Sequence, residues 1–473
     1  MTPAVGAPRR LAPIFLLLIA AGLAVRIAGA TGEIWLDEIW SLRLIAQMKA
    51  GNVLPSLAID NNHYLNTAYL ALVGGDGEPL TLRAFSILLG TSMVAAAGWL
   101  QRDRGAFTVI ATMALFAFTF PLVNVGSEAR GYAGMLLCAL LAIDAMERLA
   151  DRPQGGELWL AIVAVTGVLF HPLMLGFIAS LGLWTIWDQA QAGAGLRVIY
   201  TTVRDRFGWT VRLLIPLVAI IGIAVHFGRS GYVLCGIVPF SPDLMAGGIA
   251  RLYRFLLGLP DATPTALIIA LVLAILCLAV LLRRPNDSRL ALYLIVIFGM
   301  PAAMAIARLP NTEIPRYYLL PGIVFLLLLS DLLGTLWARN SQTRAAAIVA
   351  LLAVLVGNAL ELRTFFELGR GDVTAMLNRI VAEGPGPITS NTETRDRPVI
   401  TYFLRRMKID QPYVSYAEVC KTPPRWMLTS DLSQSLPDHA SIGSPDCDLR
   451  FLKVEHYTSW GLSGFPWTLY KAE

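Results

Sequence analysis

Long apolar runs separated by short polar connections dominate this chain. They fall at 11–30, 80–100, 106–126, 131–149, 158–170, 171–187, 209–227, 265–282, 290–307, 319–336 and 345–360. A helix needs roughly 20 mainly apolar residues to cross the hydrocarbon core, so the pattern predicts about eleven transmembrane helices. The short runs 158–170 and 171–187 meet at His171-Pro172 and are expected to form a tight helical hairpin. After residue 360 the runs stop. Gly384-Pro385-Gly386-Pro387 marks a turn, 397–407 suits a helix, and 425–430, 449–457 and 465–470 suit strands. The expected architecture is a polytopic α-helical membrane body over 1–360, followed by a small α/β domain over 361–473.

Composition agrees with this pattern. Apolar residues make up 56% of the chain, charged residues 15%, and mean hydropathy is +0.60, which excludes an ordinary soluble protein. Charge then sets the orientation. Arg9/Arg10, Arg102/Arg104, Arg148/Arg152, Arg197/Arg204/Arg206, Arg283/Arg284/Arg289 and Arg339/Arg344 fall on one side of this topology, which becomes cytoplasmic. The net charge of +5 is therefore a topology signal, and no nucleic-acid partner is expected. Segments 31–79, 127–130, 228–264, 308–318 and 361–473 face the exterior, with 31–79 and 228–264 as the long loops. A cleaved signal peptide would also use Arg9/Arg10 and Ala28-Gly29-Ala30, but the first run is span-length and Arg26 interrupts its end. In 228–264 the run Arg251-Leu252-Tyr253-Arg254 suits either lipid-phosphate contact or snorkelling anchors. Of the five cysteines, Cys138 and Cys277 lie in spans; Cys235, Cys420 and Cys447 lie outside, where an oxidising compartment allows Cys420 and Cys447 to pair.

The exterior ends of the spans collect ionisable residues. Asp37 and Glu38 adjoin in Trp35-Leu36-Asp37-Glu38-Ile39-Trp40-Ser41, and Trp35, Ile39, Leu42 and Ala46 form the apolar stripe of a helix expected to lie along the membrane surface. The two carboxylates supply acid/base chemistry or merely favour the helix dipole. His63, in Asp60-Asn61-Asn62-His63-Tyr64-Leu65-Asn66, shares their loop and can donate to hydroxyls, bind phosphate or transfer protons. In Ser127-Glu128-Ala129-Arg130-Gly131-Tyr132, Glu128 and Arg130 either pair with each other or join a site. His171 precedes Pro172 at the hairpin tip. Glu313-Ile314-Pro315-Arg316-Tyr317-Tyr318 ends the series, and Arg316 among tyrosines and prolines suits a phosphate. No CxxC or Cys/His metal spacing occurs.

In their order and shared side of the membrane these motifs resemble the GT-C superfamily of integral-membrane glycosyltransferases. The likeness is to the branch of protein O-mannosyltransferases, the lipid A aminoarabinose transferase and transferases of lipopolysaccharide core, and it covers about residues 11–360. It implies a polyprenyl-phosphate sugar donor and a lipid, glycan or protein acceptor. They would meet at the periplasmic face of an inner (cytoplasmic) membrane, although an endoplasmic-reticulum lumen has the same topology. It implies Asp37 as general base, with Glu38 positioning acceptor or base. Arg316 with Tyr317, and more weakly Arg130, would hold the donor phosphate, with His63, Glu128, Tyr132, His171 and Glu313 around the substrates. It requires no cofactor and is compatible with a divalent metal, for which the sequence has no ligand cluster. Related sequences often have Pro residues and an aromatic after the loop histidine, where Tyr64-Leu65-Asn66-Thr67 stands here.

The residues support this chemistry on their own. A polyprenyl phosphate leaves readily once Arg stabilises its charge, so one carboxylate that takes the acceptor proton suffices, and direct displacement inverts the anomeric centre. A transporter or flippase of a lipid-linked saccharide is the alternative reading. It predicts ionisable residues near mid-span, where Asp331 is the exception to the pattern.

Overall fold

The computed structural model describes residues 8–51, 62–75, 77–151, 155–227, 238–260, 263–281, 289–430, 438–444 and 447–473. Asp60, Asn61, Arg152, Cys235, Arg283 and Arg284 lie outside the described residues, as do the side chains of Arg9 and Arg10.

The body is built from α1 (Pro8–Gly29), α2 (Leu36–Lys49), α3 (Tyr64–Val73), α4 (Pro79–Leu100), α5 (Ala106–Phe118), α6 (Phe120–Gly126), α7 (Tyr132–Asp151), α8 (Glu157–Phe170), α9 (Met174–Gln191), α10 (Leu196–Phe227), α11 (Pro242–Leu257), α12 (Thr263–Leu281), α13 (Arg289–Ile306), α14 (Leu319–Arg339) and α15 (Ser341–Leu368). Among the described residues six helices are long and apolar enough to cross a membrane, or seven if the bent pair α5–α6 is one span. That suits a multi-pass membrane protein but falls short of the eleven expected spans. Helix α7 carries Asp144, Glu147 and Arg148 near its end, α8 has 14 residues, and α12 is apolar over 267–279. The hairpin forms, with α8 and α9 joined through 171–173. Helix α14 is buried almost all round from Leu319 to Asp331, as an apolar helix at the centre of a bundle must be.

Two buried devices shape the body. Helices α5 and α6 bend by 56° at Thr119, with Pro121 in the first turn of α6. Arg26 on α1 covers the carbonyls freed there, donating to Phe116 O at 3.0 Å and Ala117 O at 3.4 Å. Gly90 and Gly126 make room, since a Cβ at either would stand 2.7 Å from Arg26 Nε. At one end of the body Arg102, Arg104, Arg148, Arg206 and Arg289 line a cavity of about 270 Å³, so arginines expected on one side do meet. Asp331 belongs to this end, where Gln101, Arg104 and Tyr293 donate to its carboxylate.

The last long helix runs on to Leu368, and the small domain follows. Helices α16 (Val373–Glu383) and α17 (Glu393–Met407) accompany five strands: β1 (Ile388–Thr389), β2 (Trp426–Ser430), β3 (His439–Ser444), β4 (Cys447–Tyr457) and β5 (Trp467–Ala472). The sheet order is β1-β2-β5-β4-β3, parallel at β1/β2 and antiparallel elsewhere. The expected helix and three strands are present, and Cys420 and Cys447 form a disulfide.

The small domain packs on the body and corrects two expectations. Ile39 and Leu42 of α2 join one core with Val373, Met376 and Val399, so the stripe of α2 covers the small domain and not a lipid surface. Arg254 is likewise no lipid anchor: it is buried, pairs with Glu361 at 2.8 Å and stacks on Phe255 and Trp460.

Candidate active site

Glu38 fixes the platform on which the site stands. Its two oxygens accept from Arg83 Nε at 2.8 Å, Arg83 Nη2 at 2.6 Å, Trp35 N at 3.1 Å and Ala129 N at 2.7 Å. Arg83 spends its remaining donors on the carbonyls of Ala30, Gly32 and Glu33. The start of α2, the chain after α1 and the 127–131 loop are thus tied to one buried ion pair. Burial pushes the Glu38 carboxyl up, yet Arg83 outweighs it and holds the group below the usual carboxylate range. Four bonds saturate this carboxylate. Glu38 therefore has no lone pair left for an acceptor; of the two placements expected from the sequence, its bonds fit the other, holding the start of α2 that carries Asp37.

Asp37 points to a different face of α2, because consecutive helical residues diverge by about 100°. Its Oδ2 accepts from Arg130 Nη1 at 2.5 Å and Arg316 Nη1 at 3.2 Å. Behind Arg130 stands His63, whose Nε2 accepts from Arg130 Nε at 3.1 Å; because Arg only donates, Nδ1 carries the proton and donates to Phe170 O at 2.9 Å. Burial, then the charge of Arg130, holds His63 well below its ordinary value, so it is neutral. His63 thus orients Arg130, where the sequence reading had it touching substrate. Gly131 permits this approach, since a Cβ there would lie 2.1 Å from Phe170 O.

Of the two alternatives for Glu128 and Arg130, the pairing with each other does not form. Glu128 accepts instead from the hydroxyl of Ser463, a loop residue of the small domain. Arg370 reinforces that junction by donating to the carbonyls of Gly29, Asn124 and Ser127.

Asp37, Arg130, Tyr132, His171, Glu313, Arg316 and Tyr317 line one cavity of about 750 Å³. Trp35 closes the cationic end, with the guanidinium carbons of Arg316 and Arg130 4.8 Å and 5.7 Å from its ring. His171 accepts from Leu173 N–H at 3.1 Å through Nδ1, which leaves Nε2–H as its second polar atom, and burial lowers its pKa to about 3. Three residues lining this space carry a buried polar atom with no hydrogen-bond partner among the described residues: Trp40 Nε1, Glu313 Oε2 and Arg316 Nε. Such atoms are costly unless a ligand satisfies them.

The rest of the cavity is an apolar groove. Gly176, Ala179 and Leu183 of α9 face Gly299 and Ala303 of α13 and Ala307 at its C-terminal cap, descending from His171 on one wall and Leu309 on the other. Along α13 and its cap the lining runs from Ile295 to Ala307, roughly 18 Å at 1.5 Å per residue. A π-helical turn at Ile295–Gly299 shapes this wall. No metal-ligand cluster of three His, Cys, Asp or Glu side chains occurs among the described residues, and two guanidinium groups face Asp37, a poor donor set for a cation.

Sequence reasoning passed over Arg83, Trp35, Ser463 and the groove. Arg83 carried a usable signal, a lone cation inside the apolar run 80–100. Comparison with protein-family models and with curated proteins gives no match for this chain.

Proposed function

We propose that the chain is an integral inner-membrane glycosyltransferase, GT-C-like in character, that moves a sugar from a polyprenyl-phosphate donor to a lipid, glycan or protein acceptor on the periplasmic side. The observation that carries this reading is a single cavity with two chemistries: a carboxylate beside two guanidinium groups at one end, and an apolar groove leading away from them. An amphiphile with an anionic head and a long apolar tail fits both ends at once.

Arg316 offers its unpaired Nε to the donor phosphate, and Arg130 stands opposite it across Asp37. A phosphate there competes with Asp37 for the guanidinium groups, which weakens their hold on a carboxylate next to the sugar. The acceptor oxygen then bonds to the anomeric carbon as the bond to the phosphate oxygen breaks. Asp37 takes the acceptor proton, and polyprenyl phosphate leaves as an anion stabilised by Arg316. Glu313 and His171 supply an acceptor and a donor for sugar hydroxyls.

The test is turnover by full-length protein with a panel of polyprenyl-phosphate sugars and lipid or protein acceptors, with donor and product anomers compared by NMR. Released polyprenyl phosphate and an inverted product support the reading. Retained configuration excludes the single displacement, and translocation without bond cleavage would make the protein a flippase.

A further inference from the structure

A second concavity, of about 210 Å³, lies on the next face of α2, between that helix and α17 of the small domain. Buried Ile39 and Leu42 line it together with three exposed cations: Arg43, Lys49 and Arg405. No carboxylate lines it among the described residues. The side chains of Lys49 and Arg405 make no hydrogen bond or ion pair with any described residue. Among the described residues a neighbouring acid, Glu78, is taken by Arg406 at 3.2 Å. Lys49 and Arg405 put two like charges on one hollow, and an anion there would be attracted by both.

The hollow is coupled to the reaction cavity through a single side chain. Arg43 lies 5.0 Å from the ring centroid of Trp40, and Trp40 lines the cavity that holds Asp37. Along α2, Arg43 is six residues from Asp37, a rise of about 9 Å, and lies about a third of a turn round the helix from it. A saccharide of several rings passing Trp40 spans that path, so a substrate with its anionic group in the hollow reaches Asp37 with a hydroxyl.

We infer that this groove between α2 and α17 binds a phosphate or carboxylate group carried by the acceptor, so that the acceptor is an anionic saccharide or glycolipid. The acceptor part of this inference rests on the glycosyltransferase reading; the anion site does not.

The experiment uses full-length protein in nanodiscs of neutral phosphatidylcholine. Its probes are a soluble phosphorylated disaccharide and the same disaccharide without phosphate, compared by equilibrium binding for the wild type and Lys49→Glu/Arg405→Glu. Both positions are exposed and unpaired, so the double variant folds, and unchanged binding of the polyprenyl-phosphate donor checks this. The wild type should prefer the phosphorylated probe by roughly tenfold or more, the value of one charged hydrogen bond, and the variant should lose that preference. In turnover the variant should raise the KM for an anionic acceptor and leave kcat and the donor KM unchanged.

Equal binding of both probes by the wild type overturns the anion site. Phosphatidylglycerol added to the nanodiscs that displaces the saccharide makes a bulk lipid headgroup the occupant and overturns the acceptor assignment. A retained charge preference with no sugar transfer to any acceptor also overturns that assignment, and with it the transferase reading, while the anion site stands. Transfer that proceeds with a neutral acceptor and is unaffected by the double variant overturns the inference but not the transferase.

Discussion

Glu38→Gln separates the two neighbouring carboxylates by what each one holds. Glu38 and Arg83 are 1% and 0% exposed and meet at 2.6 Å. The amide keeps the shape of the side chain but removes its charge and sets an NH2 against donors. Breaking a buried pair from one side costs about 3–5 kcal/mol, because the surviving charge is left uncompensated. Arg83 retains three backbone carbonyls, which puts the expected loss near the lower bound, about 3 kcal/mol. The assay is the thermal midpoint of full-length protein in one fixed detergent. Glu38→Gln should lower it by several degrees, and Glu38→Leu/Arg83→Leu should recover part of the loss because neither charge remains buried. The pH dependence follows from the depressed folded-state pKa of Glu38. Its contribution is complete above the unfolded value of about 4.3 and is lost as pH falls through the lower folded value, a loss absent from Glu38→Gln. A wild-type midpoint for Glu38→Gln together with abolished sugar transfer would refute this reasoning and return Glu38 to the chemistry.

Three further outcomes are expected. Because His63 is held neutral well below 6.5, the unfolded chain gains a proton on acidification that the folded chain does not; stability should fall below pH 6.5 by up to about 1.4 kcal/mol per pH unit. His63→Gln should flatten that slope in denaturation profiles, leaving the similar part due to His171, and an unaltered slope would show that His63 is not held neutral. Arg316→Ala should weaken donor use by roughly 10- to 150-fold, the worth of a hydrogen bond to a charged group, measured as donor KM; an unchanged KM removes Arg316 from the phosphate site. Ala303→Trp fills the groove, and displacing only two buried CH2 groups at about 0.8 kcal/mol each should weaken long-chain donors roughly tenfold relative to short-chain ones. Equal effects on both would mean that the tail lies elsewhere.

The apolar runs announced most helices because burial and membrane crossing both leave long uninterrupted hydrophobic segments. They misled where one segment serves both ends, as in α7, whose apolar half leads into Asp144, Glu147 and Arg148. The site was legible in kind. Ionisable residues at the span ends at Asp37, Arg130, His171 and Arg316 do come together, since chains rarely leave such groups beside an apolar body without partners. Their division of labour was not legible. Asp37 and Glu38 are adjacent in sequence but about 100° apart on α2, and only the packing of α4 decides that Arg83 meets Glu38. Glu128 is claimed by Ser463, which lies 335 residues away, a partnership no local pattern encodes. The groove left no trace either, because Gly176, Ala179 and Ala303 become a channel wall through what they lack.

Whether Asp37 takes the acceptor proton is decided most directly by release of polyprenyl phosphate from Asp37→Asn, measured beside donor binding by the same protein. The substitution preserves shape and removes the carboxylate charge that competes with the phosphate for Arg130 and Arg316, so donor should bind at least as tightly as to the wild type. Release should fall by about 10²- to 10⁴-fold, the contribution of a general base. Release at the wild-type rate, with donor bound, would contradict the assignment of Asp37 as the base.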